Sequence, residues 1–204
     1  EKLTIASSEL SYETLDLLLS GSITPQEEGS ELDLNITLAQ ANLEDIIQEL
    51  PKEQRTQFDA YQLSGRLITN ATISGIVDKK NLPKVALSFN LDGGKISIPD
   101  QNIALSNVHL QGNYTNGKKQ SVASSRISLE DFSFDTDAGF FKGNLQVDNL
   151  KNPVVFIKAN SDLELNAISS LFPTEAIKEI DGAVQLNIDS KISIQNWQND
   201  ELRT

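Results

Sequence analysis

Apolar and polar residues alternate along most of this chain. The clearest runs extend from Leu32 to Leu38, from Val85 to Leu91 and from Val184 to Ile194. A period of two places every second side chain on one face of a β-strand. The same alternation recurs at shorter stretches: Leu63 to Ile73, Ile96 to Ile98, Ile103 to Leu105, Val108 to Leu110, Ile127 to Leu129, Phe132 to Phe134, Leu145 to Val147 and Val155 to Ala159. Buried parallel strands would give continuous apolar runs, so the pattern predicts antiparallel strands with one apolar and one wetted face.

The joints between these runs predict how the strands are connected. Asp92-Gly93-Gly94 and Asn116-Gly117 have the composition of tight hairpin turns, which require positive φ angles. The apolar positions shift by one residue between Leu105 and Val108, which predicts a β-bulge near Asn107. Strands that follow each other in the sequence should therefore pair, as they do in a meander.

Two stretches have helical spacing instead. The first begins near Asn42, a candidate N-cap, and reaches Phe58 through a second turn that opens at Pro51. The second begins near Asn166 and extends to Ile180. Each stretch lies between two alternating strands, which predicts a strand-helix-strand repeat at about 31–75 and 154–194.

The predicted fold class is therefore mainly β. We expect a long antiparallel, meandering and curled sheet, either a groove or a partly open barrel or sandwich, with two short helical inserts. Residues 1–204 should form a single elongated β region. The pattern is already under way at Glu1, so we expect the region to be a fragment of a longer protein.

Composition and charge exclude several classes of function for this chain. The formal net charge is −12 and the acidic residues are scattered, which argues against nucleic acid as a partner because phosphate binding needs clustered Lys and Arg. There is no cysteine, so disulfides, thiolate nucleophiles and Cys-ligated zinc are excluded. No stretch approaches the roughly 20 apolar residues of a membrane-spanning helix.

Catalytic chemistry finds little support in the sequence. His109 is the only histidine, and its neighbours in an alternating strand should point inward, so we expect it to face water. Four carboxylates lie close together in the sequence, and two of them could form a catalytic pair: Glu130, Asp131, Asp135 and Asp137. Residues 135–139, however, resemble a hairpin loop more closely than a catalytic site. We expect no enzyme activity, no cofactor and no metal site.

The order of several segments resembles the C-terminal region of the AsmA family, whose relatives include the TamB-like envelope proteins. The resemblance spans roughly residues 31 to 194. The segments that carry it are Leu63-Ser64-Gly65-Arg66-Leu67, Gly75, Leu82-Pro83 followed by Val85 to Ile96, Ile103 to Gly112, Gly143-Asn144-Leu145-Gln146-Val147 and the second helical stretch. The resemblance implies a periplasmic β region of a Gram-negative envelope protein, with a parent chain anchored in the inner membrane. It also implies a groove that conducts lipid between membranes, or a role in outer-membrane assembly.

The physical argument leads to the same kind of site. An apolar sheet face must be covered by a second sheet, by closure, by a helix or by a lipid tail, and two short helices can cover only part of a long sheet. The candidate groove lining is Val85, Leu87, Phe89, Leu91, Ile127, Leu129, Leu145 and Val147. The expected partners are phospholipid or other acyl chains and envelope proteins. The alternative is a structural or adhesive β module that acts by protein–protein interaction, with a dry, closed sandwich and an exposed edge strand.

Overall fold

A single antiparallel sheet of ten strands makes up most of the structure, a computed structural model that describes residues 1–12, 15–101, 103–164 and 182–194. Every strand pairs with its neighbour in sequence, so β1 and β10 are the two edges. The strands are β1 Leu3–Tyr12, β2 Leu15–Gln26, β3 Gly29–Asn42, β4 Gln62–Val77, β5 Lys84–Ile98, β6 Ile103–Thr115, β7 Arg126–Thr136, β8 Gly139–Asp148, β9 Val154–Glu164 and β10 Ala183–Ser193.

The predicted mainly β meander is thus confirmed. Among the forms that the sequence left open, the structure shows an open sheet that is not closed into a barrel. All ten described strands belong to this one sheet, so no second sheet packs against it in the described part of the chain.

The first helical insert lies between β3 and β4, as predicted. It consists of α1 (Leu43–Gln48), α2 (Lys52–Arg55) and a 3-10 turn at Thr56–Phe58, and α1 contacts both flanking strands. Asn42 occupies the N-cap position, but its side chain makes no cap hydrogen bond; its Nδ2 donates to Asp45 Oδ2 at 2.9 Å instead. The second predicted insert, Asn166 to Ile180, lies outside the described residues, so the repeat stays a prediction.

Strand register places the apolar residues of successive strands side by side. Residues that are paired across an antiparallel ladder project from the same face of the sheet. The paired apolar residues fall in two neighbouring rows on one face: Leu34, Ile73 and Val85 in the first, and Leu87, Tyr114, Ile127, Val147 and Val155 in the second. The alternation seen in the sequence therefore becomes one continuous apolar face.

Irregular pairing crosses five adjacent strands. The register shifts between Leu38 and Ala41 on β3, near Gly65 on β4, around Gly93 on β5, near Asn107 on β6, and between Leu129 and Phe132 on β7. Asn107 has a positive φ of 50°, and the bulge predicted there is confirmed. Because a bulge bends its strand and increases its twist, this row bends the middle of the sheet.

Of the two predicted hairpin turns, the one at Asp92-Gly93-Gly94 is wrong. The one at Asn116-Gly117 does lie where β6 and β7 are joined, but the connection is longer than a tight turn. Asp92-Gly93-Gly94 lies inside β5, where Gly93 forms part of a bulge with φ 61°, and the strand continues to Ile98. Asn116-Gly117 only begins the connection to β7, which includes a 3-10 turn at Val122–Ser124 and ends at Ser125. Both segments use a positive φ at a glycine, so the local conformation was predicted correctly at each of them.

Candidate functional site: an open apolar sheet face

The apolar face defined by this register contains all eight predicted lining residues. Val85, Leu87, Phe89 and Leu91 alternate along β5, Ile127 and Leu129 lie on β7, and Leu145 and Val147 lie on β8. The four residues of β7 and β8 form one cluster, because Ile127 pairs with Val147 and Leu129 with Leu145.

The β5 residues are not paired directly with that cluster. Strand β6 lies between them and contributes Leu110, Gly112 and Tyr114 to the same face. Gly112 lies between Phe89 and Leu129, and a Cβ atom there would be 3.0 Å from Phe89 Cζ. The two predicted groups are therefore joined through β6 into one surface.

Several aromatic residues of this face were not among the predicted lining residues. Phe132 and Phe134 stack with ring centroids 6.1 Å apart, and Phe134 stacks on Phe141 at 5.1 Å. The signal was present in the sequence: the alternation resumes after Glu130 and Asp131 with its parity shifted, as a bulge on β7 requires.

Few residues of the apolar face are fully buried. Of the eight predicted lining residues, Leu91 is buried, with 4% of its surface exposed, and the other seven are half-buried. At the edges the face is more open: Leu10 on β1 is 47% exposed and Ile192 on β10 is 51% exposed. Among the described residues, the fully buried apolar side chains are Leu38, Ala41, Leu91, Val108, Phe132, Ala138, Ala159 and Leu163.

The chemistry of the face is uniform. Between β2 and β9, the described register places no Asp, Glu, Lys or Arg on it. Contacts between strands are mainly those of hydrogen-bonded neighbours, and the helical insert contacts only β3 and β4 closely. A surface of this kind can hold hydrocarbon by desolvation alone, without directional groups.

The opposite face is mainly polar, although Ile68 of β4 is 43% exposed there. His109 projects from it, as expected, and lies between two carboxylates: Nδ1 is 3.8 Å from Asp92 Oδ1 and Nε2 is 4.0 Å from Asp131 Oδ2. Arg66 pairs with Asp92 at 3.2 Å. These exposed or half-exposed polar side chains form a continuous row across β4 to β7.

Two of the other candidate carboxylates have separate hydrogen-bond partners. Asn113 Nδ2 donates to Glu130 at 2.8 Å, and Asn107 Nδ2 donates to Asp135 at 2.7 Å. Asp137 lies in the turn between β7 and β8, where the N–H of Ala138 donates to Thr136 Oγ1. The hairpin loop predicted at residues 135–139 is confirmed.

Among the carboxyl groups of the described residues, one has a shifted pKa, and it lies in the β4–β5 connection. The amide of Asn81 and the backbone N–H groups of Lys80 and Asn81 donate to Asp78, which holds the pKa of this carboxyl below its ordinary value of 3.8. The Lys79-Lys80 pair belongs to this exposed turn. The shift therefore marks a well-formed turn at the sheet margin.

None of the described helices is long and apolar enough to cross a membrane. Comparison of the chain with protein families, with curated proteins and with solved structures found no match.

Proposed function

We propose that this chain is a non-catalytic segment of an AsmA-like envelope protein and that its apolar face holds the acyl chains of phospholipids. In this proposal it acts on the periplasmic side of the envelope of a Gram-negative bacterium, in lipid transfer between membranes or in outer-membrane assembly. The observation that supports it is the continuous, charge-free apolar face, which no second sheet covers in the described part of the chain.

The size of this face suits a lipid tail. The ten strands are separated by nine spacings of about 4.8 Å, so the sheet is roughly 43 Å wide from its first strand to its last. Each buried acyl methylene contributes about 0.8 kcal/mol, so a tail of ordinary length can be held without a single specific contact. Because no directional group fixes its position, a bound tail can shift from one strand to the next.

The family assignment in this proposal has its own support. Segments that carry the resemblance form the middle of the sheet: residues 63–67 lie on β4, residues 85–96 on β5, residues 103–112 on β6 and residues 143–147 on β8. The resemblance implies a curled β groove with an apolar lining. An open sheet with one apolar face is compatible with that architecture.

A structural or adhesive module is the second candidate, and one observation favours it. Strand β10 is an edge strand whose Leu186, Ile188 and Ile192 are 37–51% exposed. Such an edge can pair with a strand of another envelope protein. Edge pairing leaves the face of the sheet uncovered, so this candidate also requires that protein cover the apolar face.

Site-specific photo-crosslinking separates the two candidates. A photoreactive amino acid is placed at Leu87 or Leu145 on the apolar face, with matched controls at the adjacent Ser88 and Asn144 on the polar face. The folded protein is then incubated with vesicles of phosphatidylethanolamine and phosphatidylglycerol, irradiated and analysed by mass spectrometry. We expect phospholipid adducts at the first pair and few at the controls. Equal yields on the two faces, or no adducts at all with the strands intact by circular dichroism, would refute lipid binding.

A further inference from the structure

The two edges of the sheet differ in how well they can accept another strand. The pairing of β1 with β2 is interrupted by a register shift between Ile5 and Ser8, and such a bulge protects an edge by twisting it. By contrast, β10 pairs with β9 without a shift from Ala183 to Ser193. Among the strands that the structure describes, β10 is therefore a long and regular edge, and it is a better template than β1.

The direction of the free backbone groups of β10 follows from one hydrogen bond. The N–H of Ile194 donates to Pro153 O at 2.9 Å, which directs the backbone polar groups of Ile194 toward β9. Along a strand these groups alternate in direction, so those of Ser190 and Ile192 also point to β9. The residues between them, including Asp189 and Lys191, direct their N–H and C=O groups away from the sheet.

Those two outward residues carry opposite charges on the polar face. Asp189 pairs with Lys158 of β9 at 3.3 Å, and Lys191 Nζ lies 5.2 Å from the ring centroid of Phe156. The Asp189 side chain is nevertheless 75% exposed, which leaves room for a second cation. Because the two charges are two residues apart, an antiparallel copy of β10 can place its Lys191 opposite Asp189 and its Asp189 opposite Lys191.

We propose that β10 pairs antiparallel with β10 of a second copy of this chain, in the register that places Ser190 opposite Ser190. In this register Asp189 of each copy faces Lys191 of the other, and opposite charges on facing residues stabilise strand pairing. A register centred on Asp189 or on Lys191 would place two like charges face to face. The charge pattern therefore selects the register.

The same register suits the apolar face. Ile188 of one copy lies opposite Ile192 of the other, so the exposed apolar residues of the edge cover each other. The two-fold axis is perpendicular to the sheet and passes between the two Ser190 residues, which leaves both apolar faces on one side. Two ten-stranded sheets then become one continuous sheet, and the apolar face doubles in width.

Disulfide trapping tests this register directly, because the chain has no cysteine of its own. In the proposed dimer the two Ser190 residues form a non-hydrogen-bonded pair with Cα atoms about 4.5 Å apart, which a disulfide can bridge. We expect Ser190→Cys to form a covalent dimer under mild oxidation. Asn187→Cys is the control: the two copies of residue 187 would lie roughly 20 Å apart, so it should remain monomeric.

Exchanging the charges of residues 189 and 191 provides a second test of the same register. Asp189→Lys alone faces Lys191 of the second copy with a like charge, and we expect it to shift the sedimentation profile from dimer to monomer. Adding Lys191→Asp restores opposite charges and should restore the dimer. A wild-type chain that sediments only as a monomer, a polymer built through β1, or equal trapping at positions 187 and 190 would overturn the proposal.

Discussion

At the scale of single residues, Asn116 joins two connections at one end of the sheet. It is almost fully buried, at 9% exposed. Its Oδ1 accepts the backbone N–H of Val85 at 2.9 Å and its Nδ2 donates to Pro83 O at 2.8 Å. The side chain therefore holds the start of β5 against the end of β6, and β5 carries half of the predicted lining residues.

We expect Asn116→Ala to destabilise the fold by about 1–3 kcal/mol, because it removes a buried amide and leaves the part-buried N–H of Val85 and C=O of Pro83 without its hydrogen bonds. The measurement is the midpoint of urea unfolding followed by circular dichroism. Asn144→Ala, at an exposed position on β8, is the matched control and should change the free energy of unfolding by less than about 0.5 kcal/mol. Equal effects of the two changes would show that the hydrogen bonds of Asn116 do not stabilise this end of the sheet.

At the scale of elements, the bulge on β5 depends on the backbone conformation of Gly93. Its φ of 61° lies in the left-handed region, and a Cβ atom at this position would have no heavy atom within 4 Å. A substitution there is opposed by backbone strain and not by a steric clash. Asn tolerates this conformation, whereas a β-branched residue does not.

We therefore expect Gly93→Val to lower the free energy of unfolding by about 1–2 kcal/mol more than Gly93→Asn. Both variants are compared with the parent by urea unfolding. If Val and Asn cost the same, residue 93 does not adopt the left-handed conformation and the bulge is formed differently.

The strands could be predicted from the sequence because alternation is a local property of a half-buried strand. The Asn107 bulge was also predictable, since a bulge shifts the parity of the apolar residues around it. The error at Asp92-Gly93-Gly94 has a physical cause: residues that accept positive φ suit a hairpin turn and a bulge equally well. Which of them forms depends on whether the strand continues, and Lys95 to Ile98 continue β5 beside β4 and β6.

At the scale of the whole molecule, the candidate site follows only in part from the sequence. The period of two in the sequence shows that Leu87 and Leu145 each lie on the apolar face of their own strand. Pairing of sequential strands then places both residues on the same face of the sheet. Whether that side is covered depends on contacts between distant parts of the chain, which local patterns do not contain. The open sheet, the row of bulges and the stacking of Phe134 on Phe141 belong to this level.

The proposed binding of acyl chains would make the stability of the molecule depend on acyl ligands. A ligand that binds the folded state alone stabilises it by about 2.7 kcal/mol when present at 100 times its Kd. We expect lysophosphatidylcholine, added below its micellar concentration, to raise the Tm of the protein. Glycerophosphocholine, which has the headgroup without the acyl chain, should leave the Tm unchanged.

The size of the effect should depend on the length of the tail. Each additional buried methylene contributes about 0.8 kcal/mol, so two more methylenes should lower the Kd roughly fifteen-fold. A series of lysophosphatidylcholines measured at one concentration should therefore raise the Tm in steps with chain length. A shift that does not change along the series would mean that the headgroup or a nonspecific effect stabilises the protein. In that case the half-buried residues of β5, β7 and β8 are packed by protein and do not hold hydrocarbon.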